Sequence, residues 1–118
     1  MRITRPLLCA AILALGLVAR AHAEGFLSEY EDLPLAPGLD EVAGSGLSFD
    51  SPAGRIVESY AKGTVREAEV LKFYAATLPQ LGWTRESDSV YRRESEVLRL
   101  DAEAQGRTLM VHFTISPE

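Results

Sequence analysis

The sequence predicts an α+β domain: a mostly antiparallel sheet in β-β-α-β-β-β order with one amphipathic helix on one face. Three observations predict it. Residues 107–116 alternate strictly, with Leu109, Val111, Phe113 and Ile115 on one side. Residues 65–81 place Val70, Leu71, Tyr74, Ala75, Leu78 and Leu81 at the i, i+3, i+4 spacing of a helix stripe. The strand-like runs are joined by hairpin-length turns, too short for crossovers, so their pairing is antiparallel.

The first hairpin is read from residues 46–62. Gly-Leu-Ser-Phe-Asp at 46–50 is extended, Asp50-Ser-Pro-Ala-Gly54 is a turn, and residues 55–62 carry the strand formers Ile56, Val57 and Tyr60. Thr64-Val-Arg-Glu67 matches a capping box and opens the helix. Pro79 removes an internal hydrogen bond, so the last turn is kinked or a separate 3₁₀ turn, and Gly82 occupies the C′ position. Beyond it, residues 83–86 and 90–93 flank a Ser-Asp-Ser turn. Residues 96–103 alternate Leu98, Leu100 and Ala102 against Val97, Arg99, Asp101 and Glu103, and Ala104-Gln-Gly-Arg107 closes the last hairpin.

The N-terminal part is organised differently. Arg2 and Arg5, an uncharged apolar run over 7–19, and Ala21-His22-Ala23 have the layout of a secretory signal peptide over residues 1–23, cut after Ala23. The apolar run is about a dozen residues, short of the ~20 that span a bilayer, so no stable membrane anchor is expected after cleavage. Cys9 opens that run, whereas a lipobox cysteine closes one, so it reads as a small apolar residue of the signal. Residues 24–46 form an acidic, Pro-containing leader: 24–32 shows no period and reads as flexible, and Pro34 and Pro37 stiffen residues 32–38. The α+β domain proper is assigned to residues 47–118.

Cleavage also changes the charge. Nine basic residues then face seventeen acidic ones, giving −8, a field that disfavours nucleic acid and anionic lipid as partners. With Cys9 removed there is no thiol for a disulfide or a cysteine-ligated metal.

The segments Asp32-Leu-Pro-Leu-Ala-Pro-Gly38, Phe49-Asp-Ser-Pro-Ala-Gly-Arg55 and Phe73-Tyr-Ala-Ala-Thr-Leu-Pro-Gln-Leu-Gly-Trp83 carry a resemblance. The chain resembles a family of small exported bacterial proteins and lipoproteins. Its members share a Pro-Gly opening, a hairpin, a helix ending Phe-Tyr…Leu-Gly-Trp, and a closing β-hairpin. The resemblance implies export and the α+β layout, and no catalytic residue.

The residues that could carry chemistry are few. His112 is the one histidine left after cleavage; its available metal-binding partners are acids alone, and no metal or cofactor is expected. No serine occupies a Gly-x-Ser-x-Gly elbow, and neither a GxGxxG nor a Walker loop is present. Asp101 and Glu103 share a strand face and form the best-placed acid pair, while Arg92 and Arg93 point to opposite faces and make no patch. Phe73 flanks the helix stripe, either as an exposed anchor or beneath the Pro34–Pro37 segment. Trp83 plugs the end of the core.

One helix leaves a second sheet face containing Val97, Arg99, Met110, His112 and Thr114. The expected function is therefore a non-enzymatic periplasmic or secreted binding module. It engages another envelope protein or itself through Met110, His112, Arg99 and Phe73. The rival is a small hydrolase or ligand-binding protein using His112 with Asp101 or Glu103. N-terminal sequencing of the exported protein is expected to begin at Glu24; a chain beginning at Met1 would defeat the signal-peptide assignment.

Overall fold

The computed structural model describes residues 25–118, so the assigned signal peptide lies outside the described residues. In chain order these form β1 (Phe26–Leu27), β2 (Tyr30–Pro34), β3 (Asp40–Glu41), β4 (Leu47–Ser51) and β5 (Gly54–Gly63). After them come helix α1 (Glu67–Thr77), a 3₁₀ turn (Leu78–Leu81), β6 (Thr84–Arg85), β7 (Val90–Arg93), β8 (Glu96–Gln105) and β9 (Thr108–Pro117). Among the described residues the fold is α+β with a mostly antiparallel sheet and one short helix, as the periodicities predict. The element order there is longer than β-β-α-β-β-β: five described strands precede the helix and four come after it.

β1 and β2 make a two-stranded sheet, and the other strands form a seven-stranded sheet in the order β3-β5-β9-β8-β7-β6, with β4 also paired to β5. Every pair is antiparallel. The chain leaves β5 near one edge, crosses as α1, and enters β6 at the far edge. It then returns as a meander until β9 lies beside β5. Register keeps the alternation in phase across the sheet, with Leu98 opposite Ile115, Leu100 opposite Phe113, and Val111 opposite both Ala102 and Ala61. One face is therefore apolar apart from Ser59, which lies opposite Phe113.

That face is covered by two elements. α1 and the turn after it contribute buried Val70, Tyr74 and Leu78. The remainder comes from the segment read as a leader: Leu27, Tyr30, Leu33, Leu35, Ala36 and Leu39 are all buried in the same cluster as the sheet and helix residues. The expectation of a flexible stretch over 24–32 is thus corrected. A helix is ~10 Å wide and strands lie ~4.8 Å apart, so one helix cannot roof a seven-stranded sheet. Buried residues spaced irregularly along 27–39 supply the missing roof, and they leave no period to read.

Polar contacts fix this segment in place. The Tyr74 hydroxyl donates to the carbonyl of Pro34 (2.7 Å) and accepts from the amide of Ala36 (3.1 Å), inside the core. Burial raises the pKa of that hydroxyl well above its ordinary value, with the Ala36 amide pulling the other way. The Glu41 carboxylate accepts from the Ser28 amide (3.0 Å), the Ser28 hydroxyl (3.1 Å) and the buried Ser59 hydroxyl, tying the β1–β2 turn, β3 and β5 together. At the end of β5, a Cβ on Gly63 would lie 1.9 Å from the Gly38 carbonyl oxygen, so only glycine admits this approach of the two backbones.

The capping box does not form. α1 starts at Glu67, its N-cap is Arg66 in extended geometry, and no side chain caps it. Val65 packs against the core beside Gly38, and the chain is still extended at Arg66, two residues past Thr64. Glu67 and Glu69 in the first turn are favourable to the helix dipole instead. The other end meets expectation: Pro79 sits in the 3₁₀ turn, and Gly82 adopts φ 94° as its left-handed cap. Tyr74→Phe, which leaves the Ala36 amide and the Pro34 carbonyl buried without partners, is expected to destabilise the domain by about 1–3 kcal/mol. Thermal and urea denaturation measure it; unchanged stability would show that the Tyr74 contacts do not hold the segment.

Candidate functional site

The opposite face of the seven-stranded sheet carries no helix among the described residues. β5 turns Ile56, Glu58, Tyr60 and Lys62 to it, β9 turns Met110, His112, Thr114 and Ser116, and β8 turns Arg99, Asp101 and Glu103. Cross-strand pairing sets these in rows: Tyr60, His112 and Asp101 in one, Lys62, Met110 and Glu103 in the next, and Glu58, Thr114 and Arg99 in a third.

His112 is the centre of the middle row. Its imidazole stacks on Tyr60 with ring centroids 4.3 Å apart and planes 4° from parallel, and Nε2 lies 3.1 Å from Glu58 Oε1. The imidazole is thus held from its β5 side by an aromatic ring and a carboxylate. On its β8 side a shallow hollow of about 390 Å³ is lined by Asp101, Ala102, Glu103 and Met110 together with Tyr60 and His112. No group of three or more His, Cys, Asp or Glu side chains among the described residues is placed to hold a metal ion.

Beyond β5 the same face turns apolar. In β4, Leu47 lies opposite Glu58 and Phe49 opposite Ile56, so both point to the open side. Leu47 is 52 % exposed and Phe49 47 %, and Tyr60 beside them is 38 % exposed. Large apolar side chains grouped on one surface mark contact surfaces more often than isolated ones do.

Of the residues singled out from sequence, Met110, His112 and Arg99 do lie on one face. Phe73 does not join them. It sits half-buried on the helix side, edge-on to Tyr74 with ring centroids 5.1 Å apart. Ala36 and Pro37 line the same groove, so the proline-containing segment lies against Phe73. Val97, expected outward, is 3 % exposed. Its cross-strand neighbours are Arg92 and Ser116, and ion pairs from Arg92 to Glu86 and Glu118 close that end of the face. His112 meets Glu58 where sequence reasoning paired it with Asp101 or Glu103. Glu58, Tyr60, Leu47 and Phe49 were all missed, although the alternation of Val57, Ser59 and Ala61 against Glu58, Tyr60 and Lys62 could have assigned the β5 faces.

A second polar cluster lies at the covered side. Arg93 donates to Asp32 (3.0 Å), to the Leu81 carbonyl (3.0 Å) and to the Tyr30 hydroxyl (2.7 Å), and its guanidinium lies 4.5 Å from the Trp83 ring centre. Burial pulls its pKa down, but the Asp32 and Tyr30 hydrogen bonds outweigh that and leave it raised. Tyr30 in turn donates to Glu96 (2.6 Å), and the Arg55 guanidinium lies 5.1 Å from its ring centre. Arg93 thus spends its donors joining β2, the 3₁₀ turn and β7, which is a structural use. Trp83, buried beneath it, plugs the core end as expected.

No protein-family model matches the chain, and neither a curated protein nor a solved structure matches it.

Burial, then the hydrogen bond to Glu96, push the Tyr30 pKa up to about 12, with Arg93 opposing. A pKa raised on folding favours the protonated hydroxyl, so this contribution is intact below the unfolded value near pH 10 and lost as pH climbs toward 12. The melting temperature is expected to fall across that window. In Tyr30→Phe the fall should be shallower; an identical slope in both proteins would show that Tyr30 is not linked to folding.

Proposed function

We propose that this chain is an exported, non-enzymatic domain that binds another protein through the open face of its seven-stranded sheet. The observation that carries the reading is the asymmetry of the sheet. One face is roofed by α1 and residues 27–39, while the other presents Leu47, Phe49 and Tyr60, each more than a third exposed, with Tyr60 also lining the His112 hollow. The mixture of aromatic, aliphatic and charged groups there suits a protein interface, whose core is aromatic-rich and whose rim is polar.

Export is supported by the layout of residues 1–23, and among the described residues no helix is long and apolar enough to cross a membrane. The charge of −8 after cleavage supports a protein partner over nucleic acid.

A photo-crosslinking residue placed at Met110 or Thr114 in the producing cells is expected to give protein adducts, and the same residue at Lys72 on the exposed side of α1 is not. Met110→Lys should fold with stability changed by only about 0.5 kcal/mol, as for other surface positions, and should weaken partner capture. Adducts from Lys72 with none from the sheet positions would place the working surface on the helix side.

A further inference from the structure

We propose that β4 is a homodimer edge: two copies pair their Leu47–Ser51 strands antiparallel about Phe49, joining two seven-stranded sheets into one. This goes beyond the open-face reading: it uses the outer backbone edge of β4, leaves the Met110 and Thr114 side of the open face free, and takes a second copy of this chain as its partner.

Edge strands template further pairing unless something blunts them. At the far edge, β6 is two residues long and carries Arg85, paired with Asp88. β3 is two residues long and wholly acidic, Asp40–Glu41. β4 is the longer edge strand, five residues of sequence Leu-Ser-Phe-Asp-Ser, without lysine, arginine or proline. Among the described residues it pairs with β5 alone.

The hydrogen-bond phase of β4 leaves the right groups free. Ser51 and Gly54 close a hairpin with Pro52 and Ala53 as its two-residue loop, so they form the hydrogen-bonded pair. Alternation then directs the backbone groups of Leu47, Phe49 and Ser51 toward β5, and those of Ser48 and Asp50 outward. An antiparallel partner centred on Phe49 sets Ser48 opposite Asp50 of the second copy and Asp50 opposite its Ser48. Each of these is a hydrogen-bonded pair, for roughly four interchain backbone bonds in all.

The side chains fit the same register. Phe49 meets its own copy at a non-hydrogen-bonded position, where side chains come closest, and Leu47 flanks it opposite Ser51, all on the open face. On the other face the Ser48 hydroxyl can donate to the Asp50 carboxylate across the two-fold axis. No like charges stand opposite one another. This self-complementarity is what an isologous contact requires, and it selects a second copy over an unrelated strand. The contact is small beside the ~1,200–2,000 Å² of a standard interface, so the dimer should be reversible and concentration-dependent.

Sedimentation equilibrium of the purified protein over a range of concentrations tests the proposal. The mass of the wild-type protein is expected to rise toward twice the monomer. Phe49→Asp and Phe49→Lys should each remain monomeric with wild-type circular dichroism, and an equimolar mixture of the two should regain the dimer, because residue 49 faces itself only in this register. Ser48→Pro removes an outward amide that β5 does not use, and it too should abolish the dimer while leaving the hairpin intact. A wild-type protein that stays monomeric, a dimer indifferent to Phe49→Asp or Ser48→Pro, or a mixture that fails to recover would each overturn the pairing. The crosslinking from Met110 and Thr114 is read separately, so loss of the β4 dimer with heterologous adducts retained refutes only this inference.

Discussion

Among the described residues a seven-stranded sheet has more apolar face than its one eleven-residue helix can cover, and much of the remaining architecture answers that shortage. Residues 27–39 must serve as roof although they hold only short strands and turns. Such a segment cannot satisfy its own backbone as a helix does, so its polar groups need partners supplied by the core. Tyr74 provides them from the helix and Glu41 from β3. Arg93 provides the outer clamp through Asp32 and Tyr30. These side chains come from three different elements, α1, β3 and β7. Their joint effect is to fix an irregular stretch in one arrangement.

The same shortage explains why the other face stays open. With the helix and residues 27–39 committed to one side, the strands facing outward must be tolerable in water. They achieve this with Glu58, Lys62, Arg99, Asp101 and Glu103 interleaved among Tyr60, Met110 and His112. The apolar excess is concentrated at the β4 corner, in Leu47 and Phe49. This face is polar over much of its area and apolar at one corner, and the binding role proposed for it rests on that contrast.

His112 illustrates how partners are chosen by topology rather than by proximity in sequence. Asp101 is its neighbour across β8 and β9, and the two are on one hairpin, so sequence reasoning couples them. In the fold, β5 lies on the other side of β9, and its Glu58 and Tyr60 engage the imidazole. Fifty-four residues separate Glu58 from His112, and only the β5–β9 pairing brings them together.

Elements whose order is local were legible in the chain before any contact between distant residues was known. The alternation over 107–116, the turn at 50–54, the Val70, Tyr74 and Leu78 part of the helix stripe and the Pro79–Gly82 ending correspond to observed structure, because each depends on backbone geometry within a few residues. Leu81, expected on the stripe, is instead exposed. Met110, His112 and Arg99 were placed on one face for the same reason: a strand period of two is kept through a tight hairpin. Other features were set by tertiary contacts. Residues 27–39 became core because distant strands needed a roof, Thr64 makes no cap and Val65 packs beside Gly38, and Val97 was buried by Arg92 and its ion pairs. Phe73 lies on the far side of the molecule from the other three because helix and strand faces have no mutual orientation until the core is assembled. Contacts between residues far apart in the chain have no local period, and so no signature in the sequence.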